Sequence, residues 1–269
     1  MSEQCVTIER GLGPEGRIAR VTLDRGNRLN ALSPDAMRQL RAAADSFEDD
    51  LSTSVVVLAG RVDGFSAGFD LKDPEGAKRA ALPLGERRRA LRIGPAMCRA
   101  WYEMEQVTIA AIEGHCIGGG VALSVSLDFR TCGQSAHFRV PEVELGMNMS
   151  WGSLPRILQL IGPARTKQAI ILASDKISAA EAYDWGLVEK VVPDGQVLAE
   201  AMSFAARIAA MPPLPVGMVK TSVNRLSGAL DDLAAHMDGD QYAITNTSDD
   251  HREGVAAFLE RRKPRFQGT

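Results

Sequence analysis

The sequence predicts an α/β fold over residues 1–195, followed by a helical region over residues 196–269. Two observations carry this prediction. Short apolar runs such as Val55–Ala59 alternate with segments of helical periodicity as far as about residue 192, and this alternation is typical of α/β proteins. From Val197 to Arg262 the pattern is helical throughout, which favours a cap or an oligomerisation element.

Composition limits the classes of function. The chain has 269 residues, 45% of them hydrophobic, which is enough to bury a large core. A net charge of -3 and a pI near 5.9 argue against a nucleic-acid partner. The four cysteines form no CxxC pair and the N-terminus carries no signal pattern, so we expect a reduced, cytoplasmic protein. The most apolar stretch, Val107–Val125, contains Glu113 and four glycines, so we expect no membrane partner.

The first elements form a predicted strand pair and a helix. Val6–Arg10 and Ile18–Leu23 have strand character, with Gly11–Gly16 between them. That glycine segment matches GxGxxG, but a strand follows it where a dinucleotide site needs a helix, so it indicates a hairpin turn. Ser33 and Pro34 form a good helix start, and apolar residues at helical spacing carry this helix to Phe47.

The middle of the chain alternates between strands and helices. The predicted strands are Val55–Ala59, Val107–Glu113, Phe129–Cys132, Ala136–Arg139 and Val188–Val192. The predicted helices cover 86–104, Val121–Leu127, 154–161, 163–173 and a segment from Ser178, with a capping-box pattern, to Gly186. The segments 61–85, Gly114–Gly120 and 141–152 are predicted to be irregular loops.

Two of the loops could bind a developing negative charge. Phe65–Lys72 follows a buried strand, and Gly114–Gly120 lies between a strand and a helix. Glycines before a helix leave backbone N–H groups approachable, and the helix N-terminus adds roughly half a positive charge. A thioester oxygen that becomes negative in a transition state fits such a site. The alternative is that the glycines only allow close packing of helix on strand.

A third segment, Val140–Gly146, offers a carboxyl group. Glu142 lies between a proline and a valine. Apolar surroundings raise a carboxyl pKa and make the group a useful proton carrier near neutral pH. In the alternative interpretation, Glu142 and Glu144 form the solvent face of a strand.

Taken together, these motifs resemble the enoyl-CoA hydratase/isomerase (crotonase) family over nearly the whole chain. The segments that carry the resemblance are DRGNRLNAL, FSAGFDLK, GHCIGGGVAL, LDFR, FRVPEVELG, ISAAEAYDWGLVEKVVP and EGVAAFLERRKPRF. The resemblance implies a spiral of ββα turns that carries an acyl-CoA site in residues 1–195. It also implies that residues 196–269 form a trimerisation or cap region, and that the protein is a homotrimer or a dimer of trimers.

The resemblance also implies roles for individual residues. The backbone N–H groups of Phe69 and Gly119 would form the oxyanion hole, and Glu142 would be the acid/base. The residues implied to contact CoA are Arg28, Leu29, Ala67, Leu71, Lys72 and, reaching over from a neighbouring subunit, Phe258 and Arg261. Coenzyme A would be part of the substrate, so no separate cofactor is expected. The four histidines show no metal-ligand spacing, and we expect no metal.

One family position differs in this chain. The hydratases of the family use a second glutamate, and Ala122 stands at that position here. Members with a single acid include Δ3,Δ2-enoyl-CoA isomerases. The predicted activity is therefore isomerisation or hydration of an enoyl-CoA by Glu142. Glu144, Asn148 or Ser150 are candidates to assist hydration. The alternatives are a hydratase, lyase or hydrolase for a specialised acyl group, with Phe69 and Trp151 shaping the pocket, or a non-catalytic acyl-CoA-binding protein.

Overall fold

Two β-sheets organise the computed structural model, which describes residues 4–173 and 175–269. The larger sheet has the strand order β1-β2-β3-β5-β7-β10, and the smaller has the order β4-β6-β8-β9. The strands are β1 Val6–Leu12, β2 Ile18–Leu23, β3 Val55–Ala59, β4 Gly64–Ser66, β5 Val107–Ile112, β6 His115–Ile117, β7 Phe129–Gly133, β8 His137–Arg139, β9 Ile177–Ser178 and β10 Lys190–Val192.

Twelve α-helices surround the sheets in the described residues. They are α1 Pro34–Asp45, α2 Pro74–Ala80, α3 Leu84–Ala90, α4 Ile93–Glu103, α5 Gly119–Ser124, α6 Ser153–Ile171, α7 Ala179–Trp185, α8 Val197–Ala209, α9 Pro213–Ser227, α10 Asp231–Ala235, α11 Asp238–Thr245 and α12 Asp249–Glu260. Short 3-10 helices cover Pro14–Gly16 and Val143–Leu145. The helical character predicted for the last third of the chain is confirmed.

A repeated strand–strand–helix unit generates both sheets. In the pairs β3/β4, β5/β6 and β7/β8 the first strand joins the larger sheet and the second joins the smaller one. Within each sheet these strands pair in parallel with their counterparts in the next unit. This arrangement is the predicted spiral of ββα turns. It places the loops that follow successive strands beside one another.

The predicted hairpin is also confirmed. Strands β1 and β2 pair antiparallel, and the glycine-rich segment Gly11–Gly16 closes the turn between them. Strand β2, and not an α-helix, therefore follows the GxGxxG pattern.

Two loop and helix predictions were wrong. The helix predicted over 86–104 is divided into α3 and α4, because Pro95 lacks an N–H and its ring would clash with the carbonyl of Leu91 in a continuous helix. The segment 61–85 contains β4 and α2. The Asp73 side chain caps α2 by accepting from Glu75 N–H at 2.9 Å, and Pro74 occupies its first turn.

The structure changes two further predictions, one for a loop and one for a pair of helices. Gly114–Gly120 contains strand β6, which pairs with β4 and β8. The helices predicted at 154–161 and 163–173 form α6, where Gly162 takes φ 74° and ψ 168° before Pro163 and separates two helical halves. The capping box at Ser178 and Glu181 is confirmed, and Gly186 ends α7 in the left-handed region.

Helix α8 covers one face of the larger sheet. Its buried alanines pack with Val55, Val57 and Ile109 in a second apolar cluster, apart from the main core. In the described residues no single helix is long and apolar enough to cross a membrane. Helices α8 and α9 meet those criteria only as a pair, bent by 110°, and only in length and composition.

The C-terminal helices leave an apolar face uncovered. Exposed apolar side chains recur at helical spacing along α9 and α10, and their members are Leu214, Met218, Val219, Val223, Leu226, Leu230 and Leu233. We call these seven residues the α9–α10 face. Single exposed apolar residues are ordinary, whereas a contiguous row marks an interaction surface.

Candidate active site

Two backbone N–H groups meet at one cavity. Leu32 N–H donates to Gly68 O at 2.7 Å, and Asp70 N–H donates to Leu32 O at 3.1 Å. These bonds fix the chain on both sides of Phe69, whose own N–H donates to no acceptor among the described residues. Gly119 is the first residue of α5, so its N–H is one of the helix donors without a partner in the helix. Both Phe69 and Gly119 line the cavity.

Glycine at position 68 brings these two loops together. Gly68 takes φ +82°, and a Cβ there would lie 2.6 Å from Ile117 O and 3.0 Å from Gly119 N. Only glycine accepts both this backbone conformation and this contact with another backbone. The approach places the predicted oxyanion donors next to each other. A carbonyl oxygen between them would receive two hydrogen bonds and the positive end of the α5 dipole.

Glu142 lies beside the same glycines. The last β8 residue is Arg139, and Glu142 begins the 3-10 helix Val143–Leu145, so the strand alternation that would have turned the glutamates to solvent does not apply. A Cβ on Gly118 would lie 2.9 Å from Glu142 Oε1. Glu142 Oε2 is shielded from solvent and has no hydrogen-bond partner among the described residues.

Burial controls the protonation of Glu142. Removal of its carboxyl from water raises its pKa to about 7, and a backbone hydrogen bond and the positive charge of Arg139 offset only part of that effect. A carboxyl with such a pKa is divided between its acid and base forms at neutral pH. It can therefore take up and return a proton within one catalytic cycle.

Trp151 closes the cavity on one side. Its φ of 65° is unusual for a residue other than glycine and indicates a position held by the surrounding structure. Its indole packs on Gly94 and Gly119, where a Cβ would come within 2.2 Å and 2.7 Å of the ring. Ala122 is fully buried and also lines the cavity, so it presents an apolar methyl group to the cavity wall.

The three candidate helper residues have different surroundings. Glu144 forms an ion pair with Arg139 and is not part of the cavity wall. Asn148 and Ser150 do line the cavity. Asn148 Oδ1 is shielded from solvent and, among the described residues, has no hydrogen-bond partner.

The cavity has a volume of about 320 Å³ and collects most of the predicted CoA contacts. Four residues of the two N-terminal loops line it: Leu29, Ala67, Leu71 and Lys72. Ala67 N–H donates to Leu29 O at 2.8 Å, and His115 Nε2 contacts the same carbonyl at 3.1 Å. His115 therefore ties the first loop to the sheet.

The three remaining predicted CoA contacts differ in position. Phe258 lines the cavity of its own chain, together with Leu259. Arg28, in the first loop, and Arg261, at the end of α12, are exposed and lie outside the cavity wall. Helix α12 is held against the Glu142 segment, because His251 Nδ1 contacts Leu145 O at 2.8 Å and Gly254 packs on the Glu144 backbone.

Arg79 and Tyr242 are among the polar cavity residues that the sequence analysis did not identify. Arg79 on α2 lines the cavity, and its guanidinium carbon lies 4.9 Å from the centre of the Phe69 ring. Tyr242 on α11 lines it from the opposite end of the chain. The Asp73-Pro74 helix start could have placed Arg79 near the oxyanion loop. No local pattern marks Tyr242.

Comparison with known proteins identifies the family. Residues 13–269 match the family model described as "Enoyl-CoA hydratase/isomerase". The chain is 32% identical over 256 residues to a crotonyl-CoA hydratase of Syntrophomonas wolfei, covering 95% of this chain and 96% of that protein. It is 30% identical over 253 residues to a short-chain-enoyl-CoA hydratase of Clostridium acetobutylicum, with 94% and 95% covered.

Solved structures agree with that result. An enoyl-CoA hydratase/isomerase from Xanthobacter autotrophicus superposes with a TM-score of 0.85 at 27% identity, over 99% of this chain and 100% of that one. An enoyl-CoA hydratase subunit from Geobacillus kaustophilus superposes with a TM-score of 0.74 at 33% identity, over 99% of each chain. The crotonase-like fold is thereby shown.

Proposed function

We propose, since the chain belongs to the enoyl-CoA hydratase/isomerase family, that it moves a proton on an enoyl-CoA thioester through an enolate. In this proposal the N–H groups of Phe69 and Gly119 bind the thioester oxygen, and Glu142 is the single acid/base. The observation that carries the proposal is the shielded Oε2 of Glu142, which has no hydrogen-bond partner among the described residues and lies beside the glycines that precede α5.

The chemistry follows from these three groups. The Glu142 carboxylate removes a proton from the carbon next to the thioester carbonyl. The electron pair moves onto the carbonyl oxygen, where the two N–H donors stabilise the negative charge, each contributing about 3–4 kcal/mol to lowering the barrier. The protonated Glu142 then returns the proton at the far end of the conjugated system, which shifts the double bond. No atom is gained or lost, and CoA stays attached as part of the substrate.

Isomerisation is favoured by Ala122, because double-bond transfer needs only one carboxyl group that returns its proton at a new position. Hydration is the second candidate, because the Syntrophomonas and Clostridium relatives are named hydratases. In that reaction Glu142 would activate water alone, with Asn148 and Ser150 in the cavity wall to hold it.

The test measures both reactions with one pair of proteins. Wild type and Glu142→Gln are assayed on trans-2-enoyl-CoA, for hydration, and on trans-3-enoyl-CoA, for isomerisation. The expected result is turnover by wild type and a loss of about 10²–10⁴-fold in kcat for the variant. Equal turnover by both proteins would remove Glu142 from the mechanism. CoA-ester binding without turnover on a broad thioester panel would instead support a non-catalytic role, and thioester cleavage a hydrolase.

Ala122→Glu separates the two candidate reactions. A second carboxyl at this buried cavity position could hold water opposite Glu142. If the native reaction is isomerisation, hydration of trans-2-enoyl-CoA should appear or rise in Ala122→Glu while isomerisation falls. Ala122→Ser, which adds a small polar group without a charge, is the matched control. High hydration by wild type, unchanged in the variant, would favour hydration as the native reaction.

The oligomeric proposal rests on the α9–α10 face. A homotrimer or dimer of trimers would bury this apolar row. Arg261, exposed at the end of α12, would then be available to CoA bound by a neighbouring subunit.

A further inference from the structure

Arg79 is an unusual residue for an acyl-CoA cavity that is otherwise mostly apolar. It is half-buried on α2, lines the cavity, and stacks on the ring of Phe69, whose backbone N–H is an oxyanion donor. Leu91, Ile93 and Pro95 supply apolar wall nearby in the chain. Partial burial of a guanidinium costs free energy unless a partner compensates it.

The described residues offer Arg79 no such partner. No carboxylate lies within ion-pair distance of its guanidinium in the part of the chain that the structure describes. The two acidic residues closest to it on the same helix are engaged elsewhere. Asp73 caps α2, and Glu75 accepts from Arg38 Nη2 at 2.5 Å. Burial lowers the pKa of Arg79, but an arginine remains charged at neutral pH.

Tyr242 on α11 lines the same cavity as Arg79 and Glu142. Burial of its phenol raises its pKa, the charge of Arg79 lowers it, and that of Glu142 raises it. An ion pair between Arg88 and Asp240, with Nε to Oδ1 at 2.6 Å, ties α3 to α11, the helix that carries Tyr242.

A half-buried cation in the wall of a mostly apolar cavity selects for a negative charge on the ligand. We propose that Arg79, assisted by the Tyr242 hydroxyl, binds a carboxylate at the far end of the acyl group, so that the substrate is the CoA thioester of a dicarboxylic acid. This inference rests on the proposed function, because it assigns the acyl group processed by Glu142. The planar guanidinium matches a carboxylate with two parallel hydrogen bonds.

The CoA phosphates are the competing source of negative charge. Lys72 is an exposed cation in the same cavity wall and suits a solvated phosphate. Arg79 instead lies against the Phe69 ring and is more shielded. If Arg79 bound a CoA phosphate, it would affect all substrates equally, because every substrate carries the same CoA. If it binds an acyl carboxylate, it affects only the substrates that carry one.

The experiment compares two enoyl-CoA thioesters of equal chain length, one ending in a carboxylate and the other in a neutral carboxamide. The expected result is that wild type prefers the carboxylate by about tenfold to hundredfold in kcat/KM, the usual value of a charged hydrogen bond. Arg79→Met should abolish that preference, because kcat/KM should fall much more for the carboxylate thioester than for the carboxamide. Arg79→Lys should restore part of it.

Lys78→Met is the matched control, because it removes the same charge from an exposed position on the same helix. It should keep the wild-type preference. Equal use of both thioesters by wild type would overturn the inference, as would an equal loss on both thioesters in Arg79→Met, which would assign Arg79 to CoA. Failure of the proposed function looks different, with no Glu142-dependent turnover of either thioester.

Discussion

At the scale of single residues, protonation of Glu142 determines how activity depends on pH. Its pKa is raised to about 7 by burial, and in the proposed mechanism the carboxylate form is the base that removes the substrate proton. We therefore expect kcat/KM to rise with pH through a single ionisation near 7 and to level off above it. A pH–rate profile from about pH 5 to about pH 9 measures this. A profile flat across that range would contradict the assignment.

The same pKa makes a prediction about stability. The folded protein binds the Glu142 proton more tightly than the unfolded chain, whose pKa is near 4.5, so stability falls as pH rises from about 4.5 to about 7. Glu142→Gln removes this loss. The variant should unfold at higher denaturant concentration than wild type above about pH 7, and the difference should disappear at low pH. Glu144→Gln should not show this pattern, because Glu144 is paired with Arg139.

At the scale of elements, the contact between the two oxyanion loops depends on Gly68. A methyl group at this position would collide with Ile117 O and crowd Gly119 N, so Gly68→Ala should separate the donors and lower kcat by about 10²–10³-fold. Steady-state kinetics on the preferred enoyl-CoA measures the loss.

Gly11→Ala is the control for backbone strain. Gly11 also takes a positive φ, +71°, but a Cβ there would meet nothing within 4 Å. Both variants share a strain cost of about 1–2 kcal/mol, and only Gly68→Ala should lose activity. Equal activity in the two variants would show that the loop contact is not needed for catalysis.

Helices and strands could be predicted from the sequence where residues adjacent in the chain define them. The capping box at Ser178 and the Ser33-Pro34 start gave correct helix beginnings, because a cap depends on residues adjacent in the chain. The helix predicted over 86–104 is divided in the structure, because Pro95 cannot continue a helix from the preceding turn. Strand β6 is only three residues long and is stabilised by its neighbours β4 and β8, so no local pattern defines it.

At the scale of the whole molecule, the site residues also divide into those marked by a local sequence pattern and those brought together by tertiary packing. The roles proposed for Phe69, Gly119 and Glu142 depend on backbone N–H groups or on a motif in one loop, so short sequence patterns mark these residues. Arg79 and Tyr242 are far apart in the chain and line the same cavity because α11 packs beside α3. Their common position depends on tertiary packing, which the sequence pattern does not contain.

The α9–α10 face makes a prediction about assembly. Val223→Glu combined with Leu226→Glu places two charges in the apolar row and should dissociate the oligomer, because a buried interface does not accept unpaired charges. Sedimentation velocity should show a smaller species than wild type. Leu51→Glu, at a loop residue that is 92% exposed, is the control and should leave the assembly intact. A wild-type protein that sediments as a monomer would contradict the proposed trimer.

The proposed mechanism requires that Glu142 removes a proton next to the thioester carbonyl while Phe69 and Gly119 hold the enolate oxygen. Its most direct test is the exchange of those protons for deuterium when a saturated or 3-enoyl-CoA thioester is incubated with the protein in D₂O, followed by mass spectrometry. The account predicts exchange by wild type and a rate about 10²–10⁴-fold lower in Glu142→Gln, with Glu144→Gln close to wild type. Exchange that is absent from wild type, or equal in wild type and Glu142→Gln, would contradict it.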